Sequence, residues 1–361
     1  MNKHSFIFII ALLLSINLKA QISAPKYSNE FLSIGVDARA LGMGRSVVAN
    51  VNDVTAAYWN PAGLTGLEEK YEASLMHAVY FAGIANFDYV GFATKTDSLS
   101  TLAISAIRFG IDDIPDTRFL YDANGAVNYD NIRFFSAADY AFLFSYARRM
   151  PKLNNLKLGA SFKVVHRVAG QFANAWGFGL DAGAQYEHKG WQLGLMLRDV
   201  TGTFNAWAHN PEMVADVYRQ TGNEIPENSL EITLPRAILG IGRYMHLSEK
   251  FAMQAELNME ITTDGKRNVL INPGRLSVSP MGGLELNYAR TAAFRLGVGE
   301  FQQFTNPGGG KQWSYLPAAG IGIKIKSVHI DYALSDIGNQ SQSPYSHIFS
   351  LKARFKDGQR K

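Results

Sequence analysis

The 361-residue chain has no cysteine, which removes disulfides, thiolate zinc sites and a cysteine nucleophile together. Long apolar runs are missing as well. Apart from Phe6 to Leu14, no stretch approaches the roughly 20 apolar residues that a spanning helix requires. Charged residues make up only 18%, and the formal net charge of +4 is not gathered into a basic tract, so nucleic acid is not expected as a partner. Catalytic signatures are absent too: there is no HExxH helix, nucleophile elbow or phosphate loop. Gly42-Met43-Gly44 follows no βαβ strand and lacks the third glycine of a dinucleotide fingerprint, so close backbone packing explains it better. The eight histidines are scattered, with His166, His188, His246, His329 and His347 on or near expected strand ends. The acidic stretch from Ile111 to Asp116, continuing to Asp122 and Asp130, lacks EF-hand spacing and reads as a solvated loop rather than a calcium site. Asp97-Ser98-Leu99 reads as a turn. No catalytic residue, metal site or cofactor is therefore expected, and the chain reads as a non-enzyme.

What is present begins with a targeting segment. Lys3 and His4, the apolar run and Leu18-Lys19-Ala20 have the form of a cleaved secretory signal peptide over residues 1–20. The remainder is rich in glycine (33), phenylalanine (22) and tyrosine (16), which favours one large β-structure over two soluble domains.

Strand periodicity carries most of the information. In Phe251 to Ile261, FAMQAELNMEI, Phe251, Met253, Ala255, Leu257, Met259 and Ile261 alternate with Ala252, Gln254, Glu256, Asn258 and Glu260. Residues 175–186 place Trp176, Phe178, Leu180, Ala182, Ala184 and Tyr186 on one face and small or polar residues on the other. The same reading gives strands at 71–81, 85–95, 99–109, 138–148, 156–167, 174–187, 191–200, 231–244, 250–262, 279–290, 293–301, 316–326, 328–335 and 346–356. Most are near the ~10 residues that a tilted strand needs to cross a bilayer. The connections sort by parity: those after even strands are short, and every long one (110–137, 201–230, 263–278, 302–315, 336–345) follows an odd strand. That is the pattern of an outer-membrane barrel with both termini periplasmic. A soluble sandwich would also alternate, but its outward face would be polar, and it has no reason to sort loops. The expected fold is thus all-β, a 14-stranded antiparallel transmembrane barrel over 71–356, followed by a polar tail at 357–361. Aromatics near strand ends (Tyr71, Tyr80, Phe109, Tyr140, Tyr146, Trp191, Tyr244, Tyr288, Phe301, Tyr332, Phe355) are expected in its interfacial girdles.

Residues 21–70 do not alternate and offer short helical pieces instead: Asp37 to Leu41, then Val54 to Tyr58 capped by Asn52 or Asp53. In Asn60-Pro61-Ala62-Gly63 the proline suits a first helical position, and Asn60 can cap the turn it opens. Trp59 is expected to anchor this segment beside the first barrel strand.

Phe31 to Leu67, FLSIGVDARALGMGRSVVANVNDVTAAYWNPAGLTGL, resembles the N-terminal signature of the PorV/PorQ family of Bacteroidota outer-membrane proteins, which are related to the FadL fatty-acid channels. The run from Ala38 to Gly44 and the Asn60-Pro61-Ala62-Gly63 turn carry the likeness, and Arg39, Gly42, Gly44, Asp53, Trp59, Asn60, Pro61, Ala62 and Gly63 are its signature residues. The resemblance implies a 14-stranded barrel with residues 21–70 as a plug within or against it, in the outer membrane of a Gram-negative bacterium. It further implies a role in type IX protein secretion, with the translocon and cargo C-terminal signal domains as partners beside outer-membrane lipid. The alternative is a FadL-like channel for a hydrophobic ligand. For either, Phe119, Phe134, Phe135, Trp207 and Met213 in the long loops are the candidate contacts.

Overall fold

The computed structural model describes residues 28–356 except 81–82, 123, 155, 214, 216–217, 220–221, 223, 225–227, 266, 273–275, 306–307 and 338–344. The expected signal peptide and polar tail lie outside the described residues. The strand segments are β1 (Tyr71–Tyr80), β2 (Ala85–Lys95), β3 (Ser100–Asp116), β4 (Arg133–Met150), β5 (Leu156–Ala169), β6 (Ala173–His188), β7 (Trp191–Arg198), β8 (Thr203–His209), β9 (Ser229–Thr233), β10 (Arg236–His246), β11 (Phe251–Thr262), β12 (Ser277–Tyr288), β13 (Ala292–Thr305), β14 (Lys311–Ile325), β15 (Val328–Ser335) and β16 (Ser346–Phe355). Neighbours pair antiparallel, and β1 pairs with β16 from Tyr71↔Phe355 to Val79↔His347, which closes the sheet. No helix among the described residues is long and apolar enough to cross a membrane.

These sixteen segments make fourteen barrel strands. β6 pairs with β7 through Ala182 to His188 and with β8 through Ala173 to Phe178, so β7 and β8 are one strand interrupted at residues 199–202. β9 and β10 form the next strand, interrupted at Leu234-Pro235. The first break holds Asp199 and Gly202 at positive φ, and the second holds a proline that cannot donate to the ladder. The fourteen-stranded closed barrel expected from periodicity is the fold observed.

Boundaries differ mainly at the long-loop end. β3 and β4 continue to Asp116 and Arg133 past a register shift between Ile111 and Ile114, shortening the expected 110–137 loop. β8 and the first residues of β9 lie inside the expected 201–230 loop. Backbone pairing there outlasts the apolar alternation, so periodicity does not reveal it.

Most large apolar strand residues point outward: Leu75, Val90, Phe92, Ile104, Phe144, Phe162, Phe178, Leu193, Ile241, Leu257, Leu284, Ile321, Ile330 and Leu351 are all exposed, whereas Met76, Phe87, Ile107, Leu143 and Ile348 turn inward and are buried with the N-terminal segment. Tyr80, Phe109 and Phe301 depart from the girdle reading. Tyr80 shares the inward parity of Met76 and Ala78, Phe109 packs on the buried Phe87, and Phe301 lies within the register shift between Gly299 and Gln302.

The inward face is covered by residues 28–70, whose Val36, Met43, Val47, Val51, Val54, Ala57 and Leu64 are fully or almost fully buried. Inward glycines make room for this close approach. A Cβ on Gly297 would lie 2.0 Å from the Gly44 nitrogen, and one on Gly183 would lie 2.0 Å from Asn60 Oδ1. The glycines of the second face are thus seats for another piece of backbone.

Candidate functional site

The Asn60-Pro61-Ala62-Gly63 turn is a lock between the N-terminal segment and the barrel wall. Asn60 is extended and fully buried, and Pro61 opens a 3-10 turn, Pro61–Gly66. Asn60 Oδ1 accepts from the Ala62 nitrogen at 3.2 Å, which is the cap expected from sequence. Its Nδ2 faces outward to three carbonyls: Val48 at 2.9 Å, Ala184 on β6 at 3.1 Å and Leu195 on β7 at 3.4 Å. An amide both caps its own turn and ties it to two strands. The turn rests against β4, β5 and β6, not beside the first strand. Gly63 is also sterically required, since a Cβ there would lie 2.2 Å from the Val51 oxygen. Trp59 donates to the Val36 oxygen at 2.9 Å and meets Tyr58 edge-on, so it anchors the segment to itself.

The other signature residues sit in buried charge networks. Arg39 bonds Glu285 at 2.9 Å and Asn50 at 2.8 Å, and Glu285 also accepts from Arg295 at 2.6 Å. Arg295 reaches Asp331 at 2.7 Å. Lys352 joins Asp37 at 2.8 Å and Asp53 at 2.7 Å, while Asp53 also accepts from the Thr55 nitrogen at 2.9 Å. Burial alone would raise both carboxyls. At Asp53 the Lys352 ammonium and the Thr55 hydrogen bond outweigh it and hold the group well below the usual range. At Asp37 burial wins and pushes the carboxyl up. Gly42 packs on the Gly320 backbone, and Gly44 has φ 59°.

On the long-loop side of this segment lies a luminal cavity of about 380 Å³. Its apolar surface comes from Ile34, Leu41, Tyr80, Phe301 and Leu316. Three arginines also face it, each neutralised by carboxylates: Arg45 with Glu300 at 3.0 Å, Arg236 with Glu260 at 3.2 Å, and Arg267 with Asp264 at 2.5 Å and Glu30 at 3.2 Å. The arginines on this surface are thus already paired, and its apolar part suits a small uncharged body. Among the described residues, no group of three or more His, Asp or Glu could hold a metal.

The loop candidates are only partly brought together. Arg118 lies 5.5 Å over Phe119 and 4.6 Å over Phe172, Phe172 meets Phe135 at 5.0 Å, and Arg118 also donates to the Met213 oxygen. Trp207 stands apart, donating to Glu231 at 2.7 Å beneath Arg167, and Phe134 is exposed. Sequence reasoning missed the cavity residues Tyr80, Arg236, Glu260, Arg267 and Phe301. Inward parity marks Tyr80, Arg236 and Glu260, but no spacing signals that they converge.

No protein-family model and no curated protein matches the chain. Solved structures do. The monoaromatic hydrocarbon channel CymD shares 14% identity over 90% of this chain and 98% of its own, with a TM-score of 0.58. The Ralstonia pickettii toluene transporter TbuX shares 15% over 89% and 98%, TM-score 0.54. A Pseudomonas aeruginosa FadL homologue shares 11% over 88% and 97%, TM-score 0.50. At these identities the likeness establishes a common fold.

Proposed function

We propose that this chain is an outer-membrane channel for small, uncharged, largely apolar molecules, taken up from the extracellular side into the luminal cavity. The observation that carries the reading is the cavity itself: an apolar surface from Ile34, Leu41, Tyr80, Phe301 and Leu316 beside arginines already neutralised. The fold shared with hydrocarbon channels supports it. On this reading the N-terminal segment closes the periplasmic half, and passage requires that segment to shift from its glycine seats.

Filling the cavity tests the proposal. Leu316→Trp should reduce uptake of a probe such as toluene by about tenfold in cells that depend on this channel, with the barrel still folded and inserted. Undiminished uptake would sink the reading. The type IX secretion role rests on the resemblance of Phe31 to Leu67 alone, and it has its own measurement: gene deletion should lower secreted cargo, which a channel for small molecules would not affect.

A further inference from the structure

The outward face near the closing seam carries charges that neither the lumen nor the loops use. His77, Asp88, Arg108 and Tyr140 lie in register across β1 to β4. His77 Nδ1 is 2.7 Å from Asp88 Oδ1, and Arg108 lies 3.6 Å from Asp88 and 3.5 Å from Asp112. The guanidinium rests on the sheet above Gly110, where a Cβ would meet Arg108 Nη2 at 2.7 Å.

Their depth is unusual. On β1 the outward row runs Tyr71, Ala73, Leu75 and then His77. With ~3.3 Å per residue and a tilt of ~40°, His77 stands only about 15 Å above Tyr71. On β14 the outward row from Ile325 to Tyr315 spans about 25 Å, the usual height of an apolar band. The charges therefore sit at a level that acyl chains occupy elsewhere around the barrel. On the apolar side of them is an outer groove of about 550 Å³ between Leu75, Val90, Phe142, Phe349 and Leu351, opened by the small side chain of Ala106.

We infer that this groove holds an acyl chain of one lipid whose headgroup bears both a phosphate and an ammonium. The phosphate meets Arg108 and His77, and the ammonium meets Asp88 and Asp112. A purely anionic headgroup would face two carboxylates, and a bare cation would face the guanidinium; a headgroup of both signs complements the row. The apolar walls exclude a soluble phosphate as the preferred occupant. The site lies on the opposite side of the wall from the lumen and is independent of the transport reading.

Delipidated full-length barrel, titrated with phosphatidylethanolamine or phosphatidylglycerol and read by native mass spectrometry, tests the assignment. The wild type should retain one phosphatidylethanolamine at least tenfold more readily than phosphatidylglycerol. Ala106→Phe, which fills the groove, should abolish retention of both. Asp88→Asn, which keeps the side-chain shape, should remove the preference between them while the barrel stays folded by circular dichroism. Equal retention of the two lipids by the wild type, or retention unchanged by Ala106→Phe, would overturn the proposal. So would a co-purifying protein that Ala106→Phe displaces.

Discussion

Lys352 bridges two carboxylates from separate turns of the N-terminal segment, and the two do not contribute equally. Asp53 is held low, so its stabilisation is complete above the ordinary carboxylate range of about 4 and disappears as pH falls through the lower folded value. Asp37 is raised, so the sign reverses: its ionised form is the costly one, and its contribution is lost as pH rises through the raised value. Removing one partner of a buried pair costs about 3–5 kcal/mol when the other charge is stranded. Lys352→Met strands both aspartates and should destabilise most. Asp53→Asn should cost about 3 kcal/mol and Asp37→Asn less, because the Asp53 carboxylate accepts from Lys352, the Thr55 nitrogen and the Thr55 hydroxyl, and Asp37 from Lys352 and the Ser350 hydroxyl. Thermal melts of the detergent-solubilised barrel, with proteolysis of the N-terminal segment as a second readout, give the order. Equal effects of the two aspartate substitutions would contradict it.

At the scale of elements, the seat between the Asn60 turn and the inner wall makes a steric prediction. A valine at Gly183 would place its Cβ 2.0 Å from Asn60 Oδ1, and one at Gly159 would lie 2.4 Å from the Ala62 nitrogen. Both contacts are to buried groups with no room to yield, so the turn must leave the wall. Gly183→Val should therefore open the periplasmic half and raise single-channel conductance, whereas a glycine-to-valine change at Gly308, which has nothing within 4 Å, should not. Conductance unchanged by Gly183→Val would show that the segment does not occlude the lumen. The elements themselves were largely legible: β2, β15 and the cap on Asn60 follow from alternation and proline chemistry within one or two residues. What stayed hidden has a common cause. The partners of Asn60 on β6 and β7, and of Arg39 on β12, are more than a hundred residues away, and local patterns contain no record of which inward residue meets which turn.

For the whole molecule, parity of strands and loops decides which face is which, and that is what separates a membrane barrel from a soluble sandwich. Outside the loops, Trp176 and Trp191 are half-exposed on the outer face, while Trp59 is 3% exposed inside. Each of the chain's five tryptophans can be isolated by replacing the other four with phenylalanine. In vesicles containing lipids brominated along the acyl chain, Trp176 and Trp191 should lose most of their fluorescence and Trp59 very little, since the quencher must approach within contact distance of the ring. A soluble sandwich would keep all three bright because none would meet lipid. If instead Trp59 were quenched as strongly as Trp176, the N-terminal segment would have to lie against the bilayer, and the lumen would have lost the residues that now fill it. The comparison reads inside from outside in one measurement, and it depends on neither the transported molecule nor the lipid at the seam.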